Sequence, residues 1–218
     1  MADKANQVKT TEFRMSFPSL IKPRQRKNDN GAVSERYELT MLFPPGTNLT
    51  PLKAALRAAM VAKYGDDTKK WPRLKHGPAE VIRDFEAYNN NSDKPIAGDW
   101  KGWTIVRANA TKYAPQVFAA QKDSSGRFPV VTDEREVYGG RWAKALLNAF
   151  TYARQDGKGV TFGLEMVQLL KRDKKFGGAV SAPEEVFDNA SDEWAGNADA
   201  FDSGAQQSNA TAEEEATW

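Results

Sequence analysis

The charged residues divide the chain into two parts of opposite charge. All 31 Lys and Arg residues lie at or before Lys175. Residues 1–180 contain these 31 basic side chains and 19 acidic ones, a net charge of +12, whereas residues 181–218 contain no basic and 10 acidic ones. The formal net charge of +2 for the whole chain conceals this division. We therefore predict a basic folded body over residues 1–180 and an acidic tail over residues 181–218.

The tail has too little apolar surface to form a core. Residues 181–218 are rich in Ala, Asp, Glu, Ser, Asn and Gly and include only four aromatic side chains. Burial of so few apolar groups does not offset the entropy lost on ordering a chain. We predict that the tail is disordered, and a basic body with an acidic tail suggests a nucleic-acid partner.

Composition excludes several classes of protein. No apolar run approaches the roughly 18 residues of a membrane span, and the N-terminus lacks a signal peptide, so we expect a cytoplasmic protein without a membrane partner. The chain has no cysteine and one histidine, His76, which excludes disulfides, thiolate nucleophiles and sulfur-based zinc sites. We expect no metal and no cofactor.

Short alternating segments predict strands in the first part of the body. Residues 11–17 (TEFRMSF) place Phe13, Met15 and Phe17 on one face, which predicts a first strand with these rings in the core. Residues 22–31 combine four basic residues with the turn-forming sequence NDNG, and alternation resumes at 34–43. These segments together predict a long basic hairpin.

The middle of the body contains one clear helix. Thr50 and Pro51 predict its N-cap and first turn, and apolar residues continue at helical spacing until Gly65. Residues 69–78 predict a basic loop, and residues 80–85 a short helix or turn.

Further short strands are predicted at 103–108, 116–120, 128–131 and 160–170, which favours a small barrel or sandwich. Residues 141–154 (RWAKALLNAFTYAR) are ambiguous, because their propensity favours a helix while their alternation fits a strand. The residues themselves leave this choice open.

No catalytic motif is present. Gly139-Gly140 and Gly177-Gly178 lack the spacing of a phosphate-binding loop. The acidic pairs Asp66-Asp67 and Asp133-Glu134 allow a metal-dependent nuclease as an alternative, but adjacent acids in charged loops are common. We predict that the chain is not an enzyme.

Aromatic and basic residues are repeatedly adjacent, as in the segment KWPR at residues 70–73. Aromatic rings stack on bases of any sequence and cations neutralise phosphates, so the pattern is typical of single-strand binding. Neighbours in a strand face opposite sides, and we assign Phe13, Phe17, Phe43 and Phe150 to the core. The candidate DNA-binding residues are Lys22, Arg24, Arg26, Lys27, Arg36, Tyr37, Lys70, Trp71, Arg73, Lys75, Trp100, Lys101, Trp103, Arg107, Lys112, Tyr113, Arg141 and Trp142.

Among these, Trp71, Trp100 and Trp103 have Pro, Gly and Lys neighbours typical of loops, which favours stacking over a place in the core. The tail ends in three acids and an aromatic, which resembles a peptide docking signal. The candidate partner-binding residues are Glu213, Glu214, Glu215 and Trp218.

Several segments together resemble the OB-fold single-stranded DNA-binding proteins of tailed bacteriophages. They are SERYELTMLFPPG at 34–46, DWKGWT at 99–104, VYGG at 137–140, NAFTY at 148–152, GVTFGL at 159–164 and FGG at 176–178. The resemblance covers most of residues 10–190. It implies a mainly β fold, a five-stranded OB-type barrel with an inserted helix and long loops, in which residues 141–152 form a strand.

The resemblance also implies a function. Such proteins coat unwound DNA in phage replication, recombination or repair, inside the infected bacterial cell. Their acidic tails recruit DNA polymerase or other replication proteins and compete with DNA for the binding site. The expected partners are thus single-stranded DNA, replication proteins and, on DNA, further copies of this chain. RNA binding and an adaptor role remain as alternatives, because stacking and phosphate contacts serve both nucleic acids.

Overall fold

The computed structural model describes residues 5–27, 33–93, 95–154 and 157–176. Three α-helices in these ranges are α1 (Thr50–Tyr64), α2 (Pro78–Val81) and α3 (Phe85–Asn90). Short 3-10 turns occur at Thr68–Lys70 and Glu134–Glu136. The strands are β1 (Gln7–Lys9), β2 (Phe13–Lys27), β3 (Val33–Phe43), β4 (Ile82–Asp84), β5 (Thr104–Ala110), β6 (Gln116–Phe118), β7 (Trp142–Arg154) and β8 (Gly157–Leu169).

Five of the strands close into a barrel. Strand β2 pairs with β3, β3 with β5, β5 with β8, β8 with β7, and β7 again with β2. The β5–β8 pairing is parallel and the other four are antiparallel. The short strands β1, β4 and β6 add to β7, β5 and β8. The mainly β, OB-type fold with an inserted helix is therefore confirmed.

Strand β7 settles the ambiguity of residues 141–154. Its alternate residues Ala143, Ala145, Leu147 and Ala149 are buried, and the residues between them are more exposed. Long pairings with β8 on one edge and shorter ones with β1 and β2 on the other satisfy its backbone. Tertiary packing thus overrides the helical propensity of its Ala, Leu and Lys content.

The interior of the barrel contains rings and aliphatic side chains from every wall. Phe13 and Phe43 are fully buried with their ring centroids 5.5 Å apart, as predicted for the core. Helix α1 adds a buried stripe to the same cluster, formed by Leu52, Ala55, Leu56, Ala59 and Met60.

The ends of α1 differ slightly from the prediction. Gly65 follows the helix with φ 80°, a conformation that glycine adopts without strain. At the start, the predicted cap Thr50 is wrong. The Asn48 carboxamide oxygen accepts a hydrogen bond from the Thr50 backbone N–H at 3.0 Å, and Thr50 is already helical.

A second apolar cluster lies on the outer face of β3 and β5. Leu42 and Ile105 are paired across these strands and alternate with the barrel-facing Met41 and Val106. Phe85 from α3 and the indole of Trp100 cover them. This cluster occupies only one end of the outer face, so the other end of the same two strands is left open.

Several smaller predictions are corrected. Phe17 and Phe150, predicted to be core, are 53% and 39% exposed. Residues 128–131 contribute one isolated bridge, Phe118 to Val130, in place of a strand. The predicted tail lies outside the described residues. No helix in the described part of the chain is long and apolar enough to cross a membrane.

Candidate nucleic-acid interface

The open end of the outer face is polar and basic. Strand β3 presents Arg36, Glu38 and Thr40 there, and β5 presents Arg107 and Asn109. Thr40 lies directly opposite Arg107, and Glu38 opposite Asn109. Their neighbours Leu39 and Ala108 are buried in the barrel, so strand alternation alone directs the polar side chains outward.

Surrounding segments convert this face into a cleft of about 760 Å³, which we call the basic cleft. The segment around His76 runs beside β8, where Lys75 N–H donates to Lys158 O at 2.8 Å and Val160 N–H donates to His76 O at 3.0 Å. The lining residues are Phe17, Arg24, Arg36, Glu38, Leu39, Thr40, Lys75, His76, Glu80, Val81, Arg83, Ile105, Arg107, Ala108, Asn109, Tyr152, Val160 and Thr161.

The lining contains five Lys and Arg residues and two carboxylates. Arg24 and Arg36 are direct partners across the β2–β3 ladder, an arrangement that destabilises a sheet because like charges face each other. The Nε atoms of Arg36 and Arg83 are buried and have no hydrogen-bond partner in the described part of the chain. Unpaired buried donors are costly, and a bound anion would supply acceptors.

Aromatic side chains lie among these cations. The guanidinium carbons of Arg83 and Arg107 lie 4.9 and 4.7 Å from the Tyr88 ring centroid, and Arg107 also donates to the Tyr88 hydroxyl. Tyr152 lines the cleft with Arg154 at 4.8 Å from its ring centroid. Phe17 lines it as well. Rings and cations side by side provide surfaces for bases and phosphates.

The sequence matches a known protein family over most of its length. A protein family described as "Enterobacter phage Enc34, ssDNA-binding protein" matches residues 6–198. The chain belongs to this family. No curated protein sequence matches the chain significantly.

Solved structures of a family member share the fold. The single-stranded DNA-binding protein from bacteriophage Enc34 in complex with ssDNA is 20% identical, with a TM-score of 0.59 over 80% of this chain and 91% of that one. A second structure of the same phage protein is 21% identical, with a TM-score of 0.56 over 85% and 92% of the two chains.

Four of the predicted DNA-binding residues meet in the basic cleft, namely Arg24, Arg36, Lys75 and Arg107. The sequence prediction missed Arg83, Tyr152 and Phe17, which line the same cleft. Tyr152 is two residues from Arg154, so the aromatic-basic pattern extends to it at a spacing of two. Phe17 was assigned to the core by its alternation with Phe13 and Met15, and Arg83 lay in a segment predicted only as a helix or turn.

The prediction of an exposed indole is wrong for Trp100. This residue is 7% exposed, its ring centroid lies within 5.4 Å of those of Phe85, Trp103 and Phe176, and its Nε1 donates to Ile96 O at 2.8 Å. Trp103 is half-buried beside it.

Trp71 is also half-buried. It packs against the main core, and its Nε1 donates to Gly65 O at 2.8 Å. Pro, Gly and Lys neighbours therefore do not indicate that the indole rings of these tryptophans are exposed.

Arg141, a predicted DNA contact, is buried and bonded within the protein. It is 8% exposed and its guanidinium donates to the Glu136 carboxylate, to Glu136 O at 3.0 Å and to Leu170 O at 3.1 Å. Trp142 is half-buried at the end of β7 opposite the basic cleft. Its Nε1 donates to Asp173 Oδ2 at 2.7 Å and Lys171 lies over its ring.

Shifted carboxyl pKa values occur in this region, away from the basic cleft. The Arg141 and Arg172 hydrogen bonds lower the pKa of Glu136, and the Trp142 indole lowers the pKa of Asp173. Among residues 5–27, 33–93, 95–154 and 157–176, no three His, Asp or Glu side chains are grouped as metal ligands would be.

The remaining predicted DNA-binding residues lie outside the lining of the basic cleft. Lys22 is ion-paired with Glu134 at 2.7 Å, and Lys70 with Asp67 at 3.5 Å. Tyr113 is 72% exposed beneath Lys112, outside the cleft lining. Lys27, Arg73 and Lys101 are exposed, Tyr37 is half-buried opposite Ala110, and Arg26 lies in β2 opposite Ser34. The partner-binding candidates Glu213, Glu214, Glu215 and Trp218 lie outside the described residues.

Proposed function

We propose that this chain binds single-stranded DNA without regard to sequence in the basic cleft, in phage replication, recombination or repair. Membership of a single-stranded DNA-binding family supports the class of ligand. The observation that carries the assignment of the site is the excess of cations, including an opposed arginine pair, on the outer face of β3 and β5.

The position of the cleft supports the same site. Strands β3 and β5 are the second and third strands of the barrel, and OB folds bind oligonucleotides on this face and on the loops after the first and fourth strands. Arg24 near the end of β2 and Tyr152 near the end of β7 lie at those loops. Arginines and Lys75 would bind phosphates, and neighbouring rings would stack on bases whatever their identity.

The tail completes the proposal. Its 10 acidic residues and its lack of basic ones make it complementary to the basic body. It would occupy the cleft when DNA is absent and so compete with DNA that arrives. The end formed by Glu213–Glu215 and Trp218 would recruit a replication protein such as DNA polymerase. Non-catalytic coating of DNA, by one or several copies, is the proposed role.

A salt titration tests the site. We expect a fluorescently labelled oligothymidine to bind the full chain at low salt, and the logarithm of the binding constant to fall linearly with the logarithm of the salt concentration. Arg36→Ala and Arg107→Ala should each weaken binding and reduce the slope by about 0.7 for each phosphate that is no longer neutralised. Fluorescence anisotropy measures both quantities, and Lys53→Ala, on the exposed side of α1, removes a charge away from the cleft as the control.

Four outcomes contradict parts of the proposal. Failure of the wild-type chain and of a variant ending at residue 180 to bind an unstructured oligonucleotide would contradict DNA binding. Equal slopes for Arg36→Ala, Arg107→Ala and Lys53→Ala would place the site elsewhere. Cleavage of labelled DNA with Mg²⁺ or Mn²⁺ would favour the nuclease alternative. Tighter binding of oligouridine than of oligothymidine would favour RNA as the ligand.

A further inference from the structure

Phe17 occupies a position that its sequence pattern does not predict. Phe13 and Met15 face the barrel interior, and regular alternation would bury Phe17 beside them. The β2–β3 register instead shifts between Ser16, opposite Thr40, and Ser19, opposite Glu38. One extra residue is therefore accommodated in β2, and this bulge turns Phe17 to the outer face, where it lines the basic cleft.

The backbone at Phe17 is strained. Its φ is 46°, and it is the one residue other than glycine with a positive φ among those described. A bulky side chain rarely adopts this conformation, and a residue before proline, here Pro18, normally stays extended. Glycine or asparagine would occupy the position at lower cost. The fold alone therefore gives no reason for a phenylalanine here.

The ring of Phe17 is available for contact. It is 53% exposed, and no ring or cation contact to it is found in the described residues. Tyr88, by contrast, already has two guanidinium groups over its ring. Phe17, Tyr88 and Arg107 together border a small pocket of about 20 Å³ beside the basic cleft. A free aromatic face thus lies next to a cation suited to a phosphate.

We propose that Phe17 stacks on an unpaired base and makes the basic cleft select single strands over duplexes. The inference rests on the proposed function and names the residue that recognises the base. A base within a duplex is already stacked on both faces, so an aromatic ring adds nothing to duplex binding. Arginines contact phosphates in either form. The bulge places the ring in the cleft at the cost of backbone strain. A role in binding would explain why this strain is retained.

The test compares three variants on two ligands. Fluorescence anisotropy with the full chain measures affinity for labelled oligothymidine and for a short blunt duplex. We expect Phe17→Ala and Phe17→Gly to lose roughly 5- to 150-fold in oligothymidine affinity, the range for one stacked base. Duplex affinity and the salt slope should stay unchanged. Phe128→Ala removes a 40% exposed ring outside the cleft lining and should leave both affinities unchanged.

Thermal unfolding of the glycine variant separates recognition from a structural role. Glycine adopts a positive φ freely, so Phe17→Gly should unfold at a temperature no lower than the wild type. Loss of oligothymidine affinity without loss of stability supports the proposal. If the Phe17 variants bind oligothymidine as tightly as the wild type, the stacking proposal is wrong and the proposed function stands. The same holds if they lose affinity equally for single strand and duplex. A wild-type chain that binds no oligonucleotide overturns the stacking proposal together with the proposed function.

Discussion

The opposed arginines Arg24 and Arg36 are an unfavourable feature of the basic cleft. Their positions oppose like charges across the ladder, and Arg36 Nε is buried without a partner in the described chain. We therefore expect Arg36→Met to raise the free energy of unfolding by about 1 kcal/mol at low salt. Chemical denaturation measures the change. Lys53→Met provides the control, and a destabilised Arg36→Met variant would contradict the interpretation.

Glu136 has the opposite role, because its carboxylate holds the buried Arg141 and also contacts Arg172. In the folded state these hydrogen bonds hold the pKa of Glu136 below its ordinary value of 4.5. A lowered folded-state pKa contributes stability that is complete above the unfolded value and is lost as the pH falls through the folded value. The contribution should therefore be fully present above about pH 4.5 and fade below it.

The variant Glu136→Gln makes this pH dependence measurable. It should unfold at a lower temperature than the wild type at pH 7, because Arg141 keeps its burial and loses its counter-charge. The difference between the two proteins should shrink as the pH falls below about 4.5. Differential scanning fluorimetry from about pH 7 to about pH 3 records the difference, with Glu86→Gln, at an exposed position of α3, as the control. A constant difference across this range would exclude the ionised carboxylate as the cause.

At the scale of the element, helix α1 has a side-chain contact at its N-terminus that the sequence analysis did not predict. The Asn48 side chain, one residue before the N-cap Leu49, accepts an exposed hydrogen bond from the Thr50 backbone N–H, so Asn48→Ala should cost about 0.5 kcal/mol of stability. Thr50→Ala should cost much less, since Thr50 is already helical and does not act as the cap. Urea denaturation of the two matched variants ranks them, and a larger loss for Thr50→Ala would restore Thr50 as the cap.

Most elements could be predicted from sequence because their patterns are local. The β2–β3 hairpin, helix α1 and its end at Gly65 follow from turn and capping residues. Strand β7 could not be predicted from propensity, because pairing on both edges decides its conformation. Alternation failed at Phe17, since the bulge before Pro18 depends on a register set by the partner strand.

The candidate site was harder to predict than the fold. Arg24 and Arg36 became candidates because Arg24 lies in a basic run and Arg36 adjoins Tyr37, but their meeting with Arg107 in one cleft depends on pairings that join distant segments. Adjacency misled at Trp100 and Arg141, which are buried. A tryptophan next to lysine and glycine has the same local sequence whether its ring faces solvent or a second apolar cluster.

For the whole molecule, the two ends of one barrel face differ in character. At one end of β3 and β5, Leu42 and Ile105 are covered by Phe85 and Trp100. At the other, Arg36 and Arg107 line the open cleft. The covered end anchors the strands, which allows the open end to hold unfavourable features such as the arginine pair and the strained Phe17. Burial at one end thus offsets the cost of these unfavourable features at the other.

Charge at the same scale gives a prediction for the tail. Removal of residues 181–218 leaves 31 basic and 19 acidic side chains, so the net charge rises from +2 to +12. We expect the truncated chain to bind oligothymidine on the order of tenfold more tightly at low salt, because a competing polyanion and its repulsion of DNA are both removed. The advantage should disappear as salt screens the interaction. A full-length variant with the tail's 10 acids replaced by Asn or Gln should match the truncation, since charge is the proposed cause. If that variant binds like the wild type while the truncation binds more tightly, the tail acts by bulk and the electrostatic competition is refuted.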